Sequence, residues 1–310
     1  MSEDLFSRAA ATADFADRAI SPRRELGAYE ALWARDGVWF KSIAEGFRAH
    51  AGAVPSDFVS KAEIEKYARL GLEAIQTAGI KHFGIRVHGA GDYPEKLRDA
   101  DHPIELLYFQ GLWELVNTPC VAIVGTRTPS EEGKLRAAKL TRLLVNDGYT
   151  VVSGLARGID TVAHTTAIDA GGYTIAVLGT PITAYYPPEN QALQQHIADK
   201  HLVISQVPIV RYSQQHVRAN SYFFPERNVT MSALTEATII VEAGETSGTL
   251  VQARHAIKQK RKLFILENCF QNQSLGWPET FAKQGAIRVA DYEDIKSHLA
   301  AANPRKAVAD

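Results

Sequence analysis

The stretch Phe223–Leu266, FFPERNVTMSALTEATIIVEAGETSGTLVQARHAIKQKRKLFIL, decides the fold. It reads as a short helix, a wholly apolar strand at Ala237–Val241, a Gly/Ser/Thr loop, a second helix, and a strand at Lys262–Leu266. Short apolar strands joined by helices belong to a parallel sheet covered on both faces. The loop EAGETSGT follows the carboxyl end of one strand and opens the next helix. In open α/β sheets ligands bind in that crevice, and the free amides of a helix amino terminus favour anions there.

The same alternation continues upstream. Strands are expected at Ile85–Val87, Leu106–Phe109, Cys120–Val124, Thr150–Val152, Tyr173–Leu178 and Leu202–Ser205, with helices at Glu131–Asn146, Ile159–Ala170 and Glu189–Lys200. Before about residue 80 the apolar spacing is helical, over Leu26–Phe47 and Ser60–Ala78. A closing helix is expected over Tyr292–Ala301. The fold class is therefore α/β: an extended Rossmann-like, doubly wound, mostly parallel sheet, preceded by a small helical amino-terminal region. The expected organisation is a helical accessory region over 1–80, the Rossmann-like domain over 81–302 and a disordered tail over 303–310.

Bulk composition narrows the function classes. The 310 residues carry a net charge of -1, so no global field marks a nucleic-acid binder and any basic surface has to be local. Two cysteines, Cys120 and Cys269, stand far apart without CxxC spacing, which fits a reducing compartment and neither a disulfide framework nor a zinc site. No apolar run reaches membrane-spanning length, and MSEDLF does not open a secretory signal. A cytoplasmic protein is expected.

Three more loops at strand ends carry candidate chemistry. In VGTRTPSEEG, Gly125 permits a sharp turn, Arg127 projects at the sheet edge and Ser130 suits the cap of the next helix. The Gly and Lys spacing is not that of a P-loop. Arg127 is thus either a surface arginine on a strand-to-helix turn or an anion contact. In SGLARGID, Gly154 and Gly158 bracket Arg157, so backbone amides can converge on an anion, while the GxGxxG dinucleotide fingerprint is missing. Asp160 and His164 share a helical face and read as a capping aspartate plus a helix-face histidine more readily than as metal ligands. In LGTPITAYYPPEN, Tyr185 and Tyr186 either pack beneath the turn or stack on a base. Within the opening stretch, Arg227 and Asn228 lie on a helix directed at the same edge, and Ser247, Gly248 and Thr249 open the following helix. The run Lys258, Lys260, Arg261, Lys262 is either a solvated helix end or part of a phosphate-backbone track.

Taken in order, these segments resemble the DNA-processing protein A family (DprA, also called Smf). The similarity runs from about Gly84 to Leu299 through YPEKL, HPIELLYFQG, GTR, SGLARGIDTVAH, TIAVLGT, YYPPEN, FPERN, VEAGETSGTLVQARHA and KQGAIRV. The resemblance implies an extended Rossmann fold, a homodimer, and single-stranded DNA held in a positive pocket. It also implies a recombination mediator that protects incoming DNA and helps to load a RecA-type recombinase in natural transformation. By position, the DNA contacts it implies are Gly125, Thr126, Arg127 and Ser130 on the first turn, and Ser153, Gly154 and Gly158 on the second. Arg227 and Asn228 match FPxRN, and Ser247 and Gly248 match the SGS loop; Arg157 and Thr249 join them on the spacing argument. Thr126 replaces the motif serine, Glu132 stands where tyrosine is frequent, and Val229 replaces the second arginine of RNR. The winged-helix carboxyl-terminal domain of many members has no counterpart after the closing helix, so altered binding, or a role in repair or anti-phage defence, is also compatible.

A rival reading is a nucleotide-binding sensor or a phosphoribohydrolase-like enzyme of the related lysine-decarboxylase-like family. There a PGGxGTxxE loop supplies the catalytic glutamate. In this chain Gln252 occupies that position, and a glutamine cannot act as a general acid or base. The expectation is a non-catalytic binder that needs neither cofactor nor metal.

Overall fold

The computed structural model describes residues 20–299 apart from 92, 99 and 101. The expected tail over 303–310, and the last residues of the closing helix, lie outside the described residues. Among the described residues one nine-stranded sheet forms the centre of the fold. Its strands are β1 (Gly84–Val87), β2 (Leu106–Gly111), β3 (Cys120–Val124), β4 (Thr150–Ser153), β5 (Thr174–Leu178), β6 (Leu202–Ser205), β7 (Ala237–Ile240), β8 (Lys262–Leu266) and β9 (Ile287–Val289). The spatial order is β1-β2-β6-β5-β4-β3-β7-β8-β9. From β6 to β9 every pairing is parallel, whereas β2 runs antiparallel to both β1 and β6. The sheet is α/β, doubly wound and mostly parallel.

The central strands are apolar on both faces because helices cover both. Val121, Ile123, Ile239 and Phe264 pack against one layer, and Ala122, Val124, Ile240 and Ile265 against the other. The first layer contains α5 (Glu131–Asn146) and α6 (Ile159–Asp169), which supply Ala137, Leu144, Ile159 and Ala163. The second contains α10 (Phe223–Leu234) and α11 (Thr249–Lys258). The chain winds outward from β3 in one direction through β4, β5 and β6. It then returns to the other side of β3 with β7, β8 and β9. The order therefore reverses between β3 and β7, and the crevice outside their carboxyl ends is the switch point at which such sheets bind ligands.

Before the sheet, the periodic segment Leu26–Phe47 divides into α1 (Pro22–Trp33) and α2 (Phe40–Ala49), with Gly37 at positive φ in the break. The next helix, α3 (Lys61–Thr77), starts on a capping box in which the Ser60 hydroxyl and the Glu63 carboxylate each bond the other's end of the turn. These helices share one hydrophobic cluster with the sheet, with Tyr29, Leu32 and Trp33 beside Leu106, Tyr108 and Phe223. Polar ties reinforce that contact. The fully buried Glu30 carboxylate accepts hydrogen bonds from the Tyr108 hydroxyl (2.5 Å) and from the amides of Ile209 (2.8 Å) and Val210 (2.9 Å).

Sequence patterning did not mark every element. Strand β9 is three residues long and has one inward side chain, Val289, too little for a period to show. Helices α4 (Glu95–Arg98) and α7 (Gln191–Lys200) stand before β2 and β6. The short helices α12 (Glu267–Gln271) and α13 (Trp277–Lys283), and the pair α8 (Ile209–Gln214) and α9 (Val217–Asn220), lie in stretches without amphipathic repeats. The closing helix covers Tyr292–Lys296, fixed at its start by the Asp291 carboxylate on the amides of Glu293 and Asp294.

Candidate functional site

A cleft of about 460 Å³ opens at the β3/β7 switch point. Four segments wall it: the turn after β3 (Gly125, Thr126, Arg127), the loop after β4 and the first turn of α6 (Ala156, Asp160), the start of α10 (Phe224, Pro225, Arg227, Asn228) and the loop into α11 (Gly244, Thr246, Ser247, Gly248, Thr249). Eight of the thirteen expected contacts therefore meet around one space: Gly125, Thr126, Arg127, Arg227, Asn228, Ser247, Gly248 and Thr249. The loop carrying them is closed by local bonds. Thr249 Oγ1 donates to Gly125 O (3.1 Å), Asn228 Nδ2 to Gly248 O (3.3 Å), and Ser247 Oγ to Thr249 Oγ1 (2.9 Å).

The two cleft arginines differ in kind. Arg127 is exposed and, among the described residues, has no ion-pair partner, so its guanidinium is available to a ligand. Arg227 is buried, with 6% of its surface accessible. Its Nη1 donates to Gly154 O (2.5 Å) and Val177 O (2.6 Å), and its Nε to Asn228 Oδ1 (2.9 Å). A Cβ at Gly154 would overlap this guanidinium, so the glycine is what lets Arg227 approach the β4 loop. The amide of the same residue, Gly154 N, donates to Asp160 (3.1 Å), as does Ala156 N (3.3 Å). Burial pushes the Asp160 carboxyl upward and the Arg227 charge pulls it back. Burial lowers the Arg227 pKa, against the pull of Asp160.

Five expected contacts fall outside the walls of the cleft. Ser153 is fully buried and donates to Ile123 O (2.7 Å), so its hydroxyl is committed to the sheet. Gly154 is the seat of Arg227. Gly158, at φ 76°, lies so close to Thr126 O that a Cβ would overlap it; its role is to bring the two turns together. Ser130 does cap α5, accepting from Gly133 N (2.9 Å), but its hydroxyl donates to Glu242 (2.7 Å) and its amide to the same carboxylate (3.1 Å). Arg157 is exposed on the rim, paired with Glu189 of the YPPEN turn.

Tyr186 stands half-exposed at the rim, its ring 5.3 Å from that of Phe224. Phe224 and Asp160 line the cleft without having been singled out as contacts; the FPERN phenylalanine, next to the motif's polar end, was the available signal. Val229 is buried and lies outside the cleft walls. Glu132 pairs with Arg136 (2.6 Å) on the outer face of α5. The basic run after α11 sits at the far end of a ten-residue helix from the cleft, about 15 Å along its axis. Arg261 there donates to Ala233 O and Lys96 O (both 3.2 Å). His164 is buried and bonded to Thr174 Oγ1 (2.7 Å), with burial lowering its pKa to about 3. Among the described residues no group of three or more His, Cys, Asp and Glu side chains could hold a metal ion.

The carboxylates and the amide that an enzyme would use are engaged. Glu242 is bound to Ser130, and Glu245 accepts from Gly276 N (3.1 Å). Gln252 is 1% exposed; oriented to satisfy both ends, its amide donates to Asn228 O (2.7 Å) and accepts from Ser232 N (3.2 Å) and Thr238 Oγ1 (3.1 Å). What faces a ligand is the exposed Arg127 guanidinium beside the largely exposed loop 244–248, a cation suited to phosphate; the Ser247 and Thr249 hydroxyls donate within the protein.

Comparison with known proteins identifies the family and the fold. The family model for DNA recombination-mediator protein A matches residues 84–300. DNA processing protein DprA of Bacillus subtilis is 33% identical over 243 residues, covering 77% of this chain and 79% of the relative. Protein Smf of Synechocystis is 38% identical over 181 residues, covering 57% of this chain but only 44% of the relative, so the chain spans less than half of that longer protein. Among solved structures, DNA processing protein A from Streptococcus pneumoniae superposes with a TM-score of 0.65 at 26% identity, over 89% of this chain and 93% of the other. The Helicobacter pylori protein, described for its single-stranded DNA binding mode, gives 0.59 at 28% identity, over 70% of this chain and 94% of the other. With the family model matched over residues 84–300 and a relative 33% identical over 77% of the chain, the chain belongs to the DNA recombination-mediator protein A (DprA/Smf) family.

Proposed function

We propose that this chain binds single-stranded DNA through the β3/β7 cleft and acts as a recombination mediator. It protects the strand and helps a RecA-type recombinase to load, as in natural transformation. The observation that carries the reading is the exposed Arg127, without an ion-pair partner among the described residues, lining one cleft with the loop into α11 at the sheet's switch point. A guanidinium and oriented N–H groups bind phosphate without regard to base sequence, and the Phe224–Tyr186 pair beside them offers ring faces to bases. Arg157, on the rim, adds a second cation once Glu189 yields it. The contact set is thus narrower than thirteen residues: Arg127 and the Ser247–Thr249 loop touch phosphate, while Arg227, Gly154 and Gly158 shape the wall.

A homodimer would extend this short track and leave a face for the recombinase; a protein with this task works in the cytoplasm. No helix among the described residues is long and apolar enough to cross a membrane. The same reading makes the chain a binder and not a catalyst, because Glu242, Glu245 and Gln252 are each spent on structural bonds. The test is a mobility-shift titration with single strands of about 20–40 nucleotides, wild type beside Arg127→Ala. Binding that Arg127→Ala weakens supports the proposal. Release of free base from nucleoside monophosphates would favour the hydrolase reading instead.

A further inference from the structure

The amino terminus of α5, beside the cleft, is occupied by a group of the protein itself. Glu242, near the start of the β7–α11 loop, places Oε1 on Ser130 N (3.1 Å) and Oε2 on the Ser130 hydroxyl (2.7 Å). That hydroxyl in turn accepts from Gly133 N (2.9 Å). The contact is built, not incidental. A Cβ at Gly133 would overlap Glu242 Oε2, and one at Gly125 would come within 2.9 Å of Glu242 O. The backbone joins in as well, with Thr126 N donating to Glu242 O (2.7 Å). Glu242 therefore grips the 125–133 loop at three places, on both sides of Arg127.

We infer that Glu242 is a positioning residue for DNA. Its carboxylate takes the place of a phosphate at the start of α5, which ties the arginine loop to the Ser247–Thr249 loop and leaves the ligand phosphate only the Arg127 side. The inference rests on the proposed DNA-binding role. It has an opposite in simple electrostatics: an acid beside a polyanion should repel it, so its removal should tighten binding.

A double-mutant cycle separates the two. Single-stranded oligonucleotide affinity is measured for wild type, Glu242→Ala, Arg127→Ala and the double variant, with thermal melts alongside. Glu242→Ala is expected to weaken binding about tenfold, the scale of one charge-assisted hydrogen bond. In the Arg127→Ala background it is expected to change nothing, since Glu242 acts through Arg127. Tighter binding, unchanged binding, or an equal loss in both backgrounds overturns the inference. Ser130→Ala, which removes the other half of the contact, repeats the measurement if Glu242→Ala melts early. Amide exchange at Ser130 is followed in the ligand-free proteins. Faster exchange in Glu242→Ala supports the tie even if wild type ignores DNA, an outcome that would count against the proposed function alone; unchanged exchange overturns the tie.

Discussion

Replacing Arg127 and Arg227 by alanine, one at a time, should produce opposite phenotypes although both residues sit in family motifs and both line the cleft. Arg227 carries three hydrogen bonds inside the protein, to Gly154 O, Val177 O and Asn228 Oδ1. Without it, the Gly154 and Val177 carbonyls lose these bonds; an unsatisfied buried acceptor costs about 1–3 kcal/mol, so the pair costs about 2–6 kcal/mol. Asp160 also loses the charge that offsets its burial. For a domain with total stability of about 5–15 kcal/mol, that is a severe loss. Arg127 is exposed, and its removal should change stability by no more than about 0.5 kcal/mol. The assay is urea unfolding followed by fluorescence, with oligonucleotide binding measured on the folded fraction. The expectation is an early midpoint for Arg227→Ala and a wild-type midpoint with weak binding for Arg127→Ala. An Arg227→Ala protein of wild-type stability that has lost DNA binding would refute the division between wall and contact.

Other positions test the same frame. Gly154→Ala should destabilise by about 1–3 kcal/mol, because the added methyl overlaps Arg227 and displaces it from its carbonyls. Phe223→Ala should cost about 3–5 kcal/mol in denaturant melts: the ring is fully buried among Trp33, Trp39, Phe40 and Tyr212, in a cluster that joins the amino-terminal helices to α10. His164 titrates near 6.5 when unfolded but only at about 3 when folded, since burial disfavours its charged form. Its contribution is thus constant above pH 6.5 and lost as pH falls from there toward about 3, at up to about 1.4 kcal/mol per pH unit. Wild type should therefore lose more stability than His164→Gln between pH 6.5 and 5, and parallel curves would contradict this.

Much of this molecule was legible in the chain. The runs Cys120–Val124 and Lys262–Leu266 coincide with strands end to end, and Ser130 caps the helix it precedes. What periodicity did not reveal lay where elements are too short to show a repeat, as in β9, or where a glycine break such as Gly37 interrupts a continuous pattern. The site was legible by position but not by exposure. Arg127 and Arg227 look alike as letters; only packing shows that Gly154 admits the second guanidinium beneath the β4 loop and that Ser153 points into the sheet. Likewise the serine cap of α5 was visible, but its carboxylate partner is 112 residues downstream and comes from the other side of the switch point.

The central claim is that phosphate meets Arg127 at the mouth of the β3/β7 cleft. The most direct measurement is the salt dependence of single-strand affinity for wild type and Arg127→Ala. Wild type should bind with a falling log–log slope, and the variant's slope should be shallower by about 0.7, the loss of one phosphate contact on a single strand. A wild-type protein that does not bind single strands at low salt, or a variant whose slope and affinity match wild type, would contradict the account.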